Sequence, residues 1–170
     1  MDLYEALEER RSIRSYKSDP IPEEILTRVL DAFRIAPSAA NRQPWRMIVV
    51  RDQEKRERLV SACSNQQFLG EAPCVMVACG TSNCGRIGGY TTSMMVDVSI
   101  AFTQMILAAH AEGLGTCWLG AFDENAVKEI LNIPEEVRVV AVTPLGYPTV
   151  KGFDRGRKTL SEIACYDQYE

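Results

Sequence analysis

Residues 93–112 read SMMVDVSIAFTQMILAAHAE, and the other segments have to be fitted around them. Val96, Val98, Ile100, Ala101, Phe102, Met105, Ile106, Leu107, Ala108 and Ala109 cover nearly every side of the helix that this spacing predicts. A helix apolar all round belongs at the centre of a domain or in a subunit interface. Each large side chain it buries contributes about 1.5–3 kcal/mol. Asp97 is its lone interior charge and needs a partner or a wet end. His110, the only histidine, reads as a packed or hydrogen-bonded residue, which removes Ser-His-Asp and Cys-His hydrolases.

On the C-terminal side, Gly113-Leu114-Gly115 closes the helix and Thr116 to Leu119 reads as a short strand opening at Gly120-Ala121-Phe122. Asp123 caps a helix to Leu131. A valine-rich strand then spans Val137 to Thr143 and ends at Pro144-Leu145-Gly146-Tyr147-Pro148. On the N-terminal side, Gly80 to Thr92 is a glycine-rich loop containing Arg86, with no more specific signal than irregular backbone. Cys74 to Cys79 is a strand, and Ser64-Asn65-Gln66-Gln67 is a polar turn. Asp52 caps an amphipathic helix to Ala62 with Leu59 and Val60 inward, and Arg46 to Val50 is another strand. Pro20-Ile21-Pro22 starts a helix whose apolar face is Ile25, Leu26, Val29, Leu30 and Phe33, and which stops before Pro37. Strands alternating with helices suggest, by themselves, a parallel doubly wound sheet.

Three polar stretches stand out from this framework. Asp2-Leu3-Tyr4-Glu5 has the form of a capping box, so a helix runs from about Leu3 to Arg10, and Arg10-Arg11-Ser12-Ile13-Arg14 lies at its end. Arginines there complement the helix dipole, with Glu8 and Arg11 as a surface pair. The same planar forks, with a serine hydroxyl, also suit a phosphate. Residues 36–45, APSAANRQPW, combine small residues that admit a flat ligand with Ser38 and Asn41, which can bond to its edge. They also read as a plain helix–strand connection with Trp45 as a core plug. Arg155, Arg157 and Lys158 form a second basic cluster in the tail, ahead of the apolar Leu160 and Ile163.

The totals narrow the function classes. At 170 residues, with 46% hydrophobic and 25% charged residues, the chain suits one domain spanning 1–170, without repeat or linker. A net charge of -4 argues against general nucleic-acid or membrane-surface binding. No uninterrupted apolar run reaches the roughly 18 residues of a membrane span, and no signal-peptide pattern opens the chain. The six cysteines contain no CxxC; Cys74, Cys79 and Cys117 lie in apolar surroundings where cysteine packs as a small hydrophobe. A cytoplasmic location and no metal site are the expectation. P-loop and Rossmann signatures are missing from the sequence.

Four motifs in order (RRSIR at 10–14, APSAANRQPW at 36–45, GLGTCWLGAF at 113–122 and TPLGYP at 143–148) together resemble the FMN-dependent nitroreductase family over essentially the whole chain. That resemblance implies an α+β fold, a mixed and mostly antiparallel sheet wrapped by helices, in an intertwined homodimer with two flavins at the interface. It replaces the parallel arrangement. It also implies C-terminal segments exchanged across the dimer, giving Leu160 to Tyr169 something to pair with. Carried over by position, Arg10, Arg11 and Ser12 match the arm for the FMN phosphate and ribityl, and Arg14 the basic residue at the flavin's pyrimidine edge. Pro37, Ser38, Ala39 and Asn41 match the segment laid on the ring from the partner subunit. Asn65 and Gln66 fall where a polar side chain faces the ring. Leu119, Gly120 and Ala121 match backbone along the ring near N5. Arg157 and Lys158 match the C-terminal phosphate contact, with Arg155 able to substitute.

The implied activity is transfer of two electrons from NADH or NADPH through flavin N5 to a small-molecule acceptor such as a nitro compound or quinone, in two half-reactions. No protein side chain need act as acid or nucleophile. Arg14 would support the negative charge of the reduced flavin. The inserted helical excursion of larger members is missing, leaving Gly80 to Thr92 over the site. Non-catalytic flavin binding, redox sensing with the cysteines as reporters, a specialised branch with another acceptor, and an interaction module using the apolar helix are the competing expectations.

Overall fold

The computed structural model describes residues 1–81 and 85–169. Its strands are β1 (Trp45–Val50), β2 (Cys74–Gly80), β3 (Arg86–Ile87), β4 (Thr91–Thr92), β5 (Gly115–Thr116) and β6 (Arg138–Gly146). Its α-helices are α1 (Leu3–Glu9), α2 (Glu23–Arg34), α3 (Gln53–Ala62), α4 (Phe68–Glu71), α5 (Ser93–Ala111) and α6 (Glu124–Leu131). Four strands form one sheet in the order β1-β2-β6-β5, and every ladder in it is antiparallel. A parallel contact occurs where Ser12 bridges Thr116 beside β5. Strand–helix alternation alone is therefore a poor guide to strand direction here. After α3 the chain makes one more traverse through 63–73, including α4, and so enters β2 running against β1.

β2 shows why this sheet reads as continuous apolar runs. All of it is buried, because both faces are covered. Cys74, Met76 and Ala78 face a core shared with Leu26, Val29 and Phe33 of α2 and Val98, Phe102 and Met105 of α5. Val75, Val77 and Cys79 face a second core with Leu59 and Val60 of α3 and Val127 and Ile130 of α6. The register slips between Ala78 and Cys79, which pair with Ala141 and Val139, leaving Val140 as the extra residue. This bulge sets Val140 and Ala141 in the same core.

α5 is the inner helix that its composition predicts. With 19 residues and a mean hydropathy of 1.4 it has the length and composition of a membrane span. Here, however, Val98, Ala101, Phe102, Met105 and Ala109 are buried within the fold. Its other side is uncovered: Met95, Val96 and Ile100 are exposed and, with Leu107, line an apolar groove. The helix is therefore both core and surface, on opposite stripes.

Several boundaries differ from the sequence reading. α1 carries the expected capping box and ends at Glu9, with Arg10 as its C-cap. Pro22 sits at the N-cap of α2, one place before the first helical position. The expected strand from Thr116 to Leu119 reduces to Gly115–Thr116 plus one bridge from Leu119 to Val142. Trp118 leaves the ladder and meets Phe102 edge-on, with ring centroids 4.6 Å apart. β6 runs on to Gly146 through Pro144. The buried Thr143 hydroxyl makes this tolerable, accepting the Cys117 N–H at 2.9 Å and donating to the Pro144 carbonyl at 2.8 Å. Within the glycine-rich loop, β3 and β4 form a small hairpin turning through Gly88 and Gly89, both at positive φ; the rest of that loop lies partly outside the described residues. Among the described residues beyond Pro148 the only helical element is a short 3-10 turn at Leu160–Glu162, and Leu160, Ile163 and Tyr166 are exposed.

Candidate functional site

The basic arm is fixed by its backbone before any ligand is considered. Past α1 it runs extended: the Ile13 N–H donates to Thr116 O at 2.9 Å, Lys17 N–H to Tyr147 O at 2.8 Å, and Thr149 N–H to Ser15 O at 3.2 Å. Two glycines allow this close approach. A Cβ on Gly115 would come within 2.7 Å of Ile13, and one on Gly152 within 2.4 Å of Arg11 Cβ and 2.9 Å of Ser12 O. The Tyr16 hydroxyl donates to Ile13 O at 2.6 Å and closes the arm's inner side.

Its charges are arranged unequally. Arg11 does not pair with Glu8, as its spacing suggests. Its Nη1 donates to the carbonyls of Glu8 and Arg10, and its Nη2 meets Asp154 Oδ2 at 2.7 Å. Arg10, in contrast, is in no ion pair among the described residues, and nor are Arg14 and Arg157. Burial, then the charge of Arg157, then that of Arg11, push the Arg10 guanidinium below its ordinary value. The two ends of the chain thus bring like charges to one place. Burial also pushes the Cys117 thiol up; Arg14, the Ser12 hydroxyl and Arg10 partly oppose it, which locates all three about that thiol.

Two loops complete the picture. Ser64 Oγ donates to Ala121 O at 3.3 Å and Asp123 N–H to Ala62 O at 2.8 Å, so the Asn65 turn and the Gly120 turn lie side by side. Leu119 is buried and its N–H donates to Val142 O at 2.8 Å, whereas Gly120 and Ala121 are exposed. Asn65 is exposed as well; Gln66 spends its amide on Cys63 O at 3.2 Å. Gly120 is not at positive φ, and a Cβ built on it meets nothing within 4 Å. Nothing among the described residues therefore requires a glycine there on steric grounds.

The third stretch, 37–41, is held elsewhere. Asp97 finds its partner here: Oδ1 accepts the Ala39 N–H at 2.9 Å, and Ser38 Oγ accepts the Gln43 N–H at 2.9 Å. These bonds retain Ala40, Asn41 and Gln43 at φ of 51°, 53° and 51°. The left-handed region costs an L-residue about 1–2 kcal/mol. Ser64 and Asn65 share it, so five of the seven non-glycine positive-φ positions described fall in these two loops. Strain of that kind gathers where a ligand must be met. Asp97 is near the start of α5, whereas His110 near its end feels the charges of Arg10 and Arg11. Thirteen residues of helix separate them, roughly 20 Å at 1.5 Å per residue.

Sequence reasoning missed Gly152, Asp154, Ser64 and Thr143. Only the Asp154-Arg155-Gly156 turn left a readable sign, an Asx residue two places before a glycine. His110 is half-buried rather than packed in the core; burial, then Arg10, push it below its ordinary value, and its Nε2 has no hydrogen-bond partner among the described residues. No cluster of metal-ligating side chains occurs among the described residues. Burial pushes Cys63 and Cys74 up to about 12 and Cys79 to about 11, which makes these thiols poor redox reporters.

Comparison with known proteins agrees with this fold. The model of the nitroreductase family matches residues 7–82 and 60–147. The NADH dehydrogenase of Thermus thermophilus is 30% identical over 197 aligned positions, covering 98% of this chain and 96% of that protein. A nitroreductase family protein from Clostridium novyi NT superposes with a TM-score of 0.84 at 34% identity, over 88% of this chain and 86% of that one. The NADPH:FMN oxidoreductase of Vibrio harveyi, solved with NAD+, gives a TM-score of 0.90 at 26% identity, over 98% and 77%. An antiparallel sheet between two helical layers, an arginine arm set against its edge, and matches that run through both place the chain in one family: it belongs to the nitroreductases.

Proposed function

We propose that the protein is an FMN-dependent NAD(P)H oxidoreductase, acting as a homodimer. The observation that carries the reading is that Arg10 feels the charge of Arg157, from the opposite end of the chain, while neither is in an ion pair among the described residues. Like charges gathered in this way suit a bound dianion. The residues fit FMN in a second respect, because the exposed Gly120 has no neighbour within 4 Å of a Cβ, so its backbone is open to a flat ring.

When bound, FMN supplies the redox chemistry, taking two electrons from NADH or NADPH and passing them on in a separate half-reaction. The chain's own residues bind and tune. Arg10, Ser12 and Arg157 hold the phosphate and its sugar alcohol, with Lys158 or Arg155 as further positive charge. Arg14 stands at the end of the arm nearest Cys117 and stabilises negative charge at the pyrimidine edge. Backbone at Leu119–Ala121, with Asn65 and Gln66, lines one side of the ring.

The segment Pro37, Ser38, Ala39 and Asn41 lies roughly 20 Å along α5 from the arm of its own chain. It serves the site of a second copy, brought into reach when the bare stripe of Met95, Val96 and Ile100 is covered. The acceptor is a small molecule such as a nitro compound or quinone.

The absorbance spectrum of the purified protein tests this. A yellow protein bleached by NADH or NADPH and recoloured by an acceptor is expected; a colourless one that binds no added FMN overturns the reading. Gly120→Ala sharpens it. Because a Cβ meets nothing there, the apo-protein should melt at an unchanged or slightly higher temperature, while FMN binds at least fivefold more weakly.

A further inference from the structure

Arg11 belongs by position to the phosphate arm, but its guanidinium is engaged elsewhere. Nη1 is bonded to two carbonyls of the α1 terminus, those of Glu8 and Arg10, and Nη2 to Asp154. Asp154 is itself a hub. Its second oxygen, Oδ1, accepts the Gly156 N–H at 2.9 Å, and Gly156 takes φ of 69°, a value glycine adopts without penalty. That turn redirects the tail immediately before Arg157, whose Nη1 donates to Gly156 O at 2.6 Å. Two residues ahead of Asp154, Gly152 lets the tail backbone press directly on Arg11 and Ser12. Thr149 is bonded to Ser15 twice, through its N–H and through its hydroxyl at 2.7 Å.

We propose that Arg11 and Asp154 are positioning residues that latch the C-terminal tail onto the arm and so hold Arg157 beside Arg10, while Arg11 itself makes no contact with the phosphate. Two guanidinium groups repel one another and would separate before an anion arrives. The latch opposes that with an aspartate that is bonded to Arg11, also attracts Arg157, and shapes the turn with its other oxygen. The inference rests on the proposal that this protein binds FMN at Arg10, and it assigns the tail a task in the apo-protein.

The test uses the full-length protein stripped of FMN. Arg155, Arg157 and Lys158 are exposed trypsin sites, so cleavage there reports the latch without any cofactor. Arg11→Gln and Asp154→Asn should each speed cleavage at these sites several-fold in the apo-protein, with circular dichroism and melting temperature unchanged. Asp154→Asn keeps an acceptor for Gly156 and removes the charge that faces Arg11 and Arg157; Asp154→Ala removes both and should loosen the tail further. In FMN titrations Arg157→Ala should weaken binding about tenfold in the parent protein and less than twofold once Asp154→Asn is present. If Arg11→Gln and Asp154→Asn leave cleavage at the parent rate, or if Arg157→Ala costs the same in both backgrounds, the latch is overturned. Arg10→Ala is the separate control. Undiminished FMN binding in that variant overturns the flavin site itself, whereas weakened binding there, together with parent-rate cleavage in Arg11→Gln and Asp154→Asn, overturns the latch alone.

Discussion

Arg10 and Arg14 lie four positions apart on one arm, and the structure gives them different surroundings. Arg10 is half-buried beside Arg157; Arg14 is exposed and acts on the Cys117 thiol. Their replacements should therefore fail in different ways. Arg10→Ala is expected to raise the FMN dissociation constant by tenfold or more, measured by quenching of flavin fluorescence. Arg14→Ala should change that constant by less than about threefold. It should lower the two-electron reduction potential by about 30 mV, the equivalent of about 1.4 kcal/mol of lost support for the reduced form. A potential unmoved in Arg14→Ala would remove its assigned role. At this scale the sequence was informative where structure is local: the Asp2–Glu5 capping box is formed, and α1 ends at its C-cap, Arg10, as residues 2–10 by themselves suggest. It was silent on Gly152 and Asp154, whose importance comes from what a distant segment does to them. A close approach between residues 11 and 152 leaves no trace in either stretch alone.

Among the elements, α6 and β6 show how a polar residue joins two apolar layers. The Arg138 Nε and Nη2 grip Glu124 as a fork, each at 2.9 Å, and Val139 N–H donates to the same carboxylate at 2.9 Å. Burial alone would push the Glu124 carboxyl up. The Arg138 bonds, the Val139 N–H and the charge of Lys128 outweigh that and hold it below its ordinary value. A folded value below the unfolded one, about 4.3 for glutamate, means stabilisation that is complete above that value and is lost as the pH falls through the folded one. Glu124→Gln should thus cost about 1–2 kcal/mol in urea denaturation at neutral pH. The deficit should shrink stepwise below about pH 4, as the parent loses the same charge. A deficit independent of pH would show that packing rather than charge was lost. Element identities were largely legible, because α5 is apolar on every side and α6 carries its own cap. Boundaries were less so. Pro144 reads as a stop until the Thr143 hydroxyl is seen bonding on either side of it, and Trp118 reads as strand until Phe102 draws it away.

For the whole molecule, the single chain leaves one stripe of α5 bare and holds residues 37–41 at the far end of that helix from the arm. A charge on the stripe separates assembly from folding. Ile100→Glu, at a side chain 41% exposed in one chain, should keep the helical circular dichroism of the parent. It should elute as a monomer and lose its yellow colour on gel filtration; a yellow monomer would show that one chain suffices for the site. Strand direction was the largest thing that pattern could not supply, since alternation of strands and helices is compatible with either sense and only the return through 63–73 fixes it. Family motifs supplied what periodicity could not. The hydrogen bonds that zip residues 13–17 to 116 and 147–149 have one more consequence, which concerns time. Because those bonds are made entirely between groups of the chain itself, capture of the flavin should need no slow rearrangement of the arm. Stopped-flow mixing of apo-protein with FMN should show an observed rate that climbs linearly with concentration, with neither lag nor plateau, limited by how often the two molecules collide.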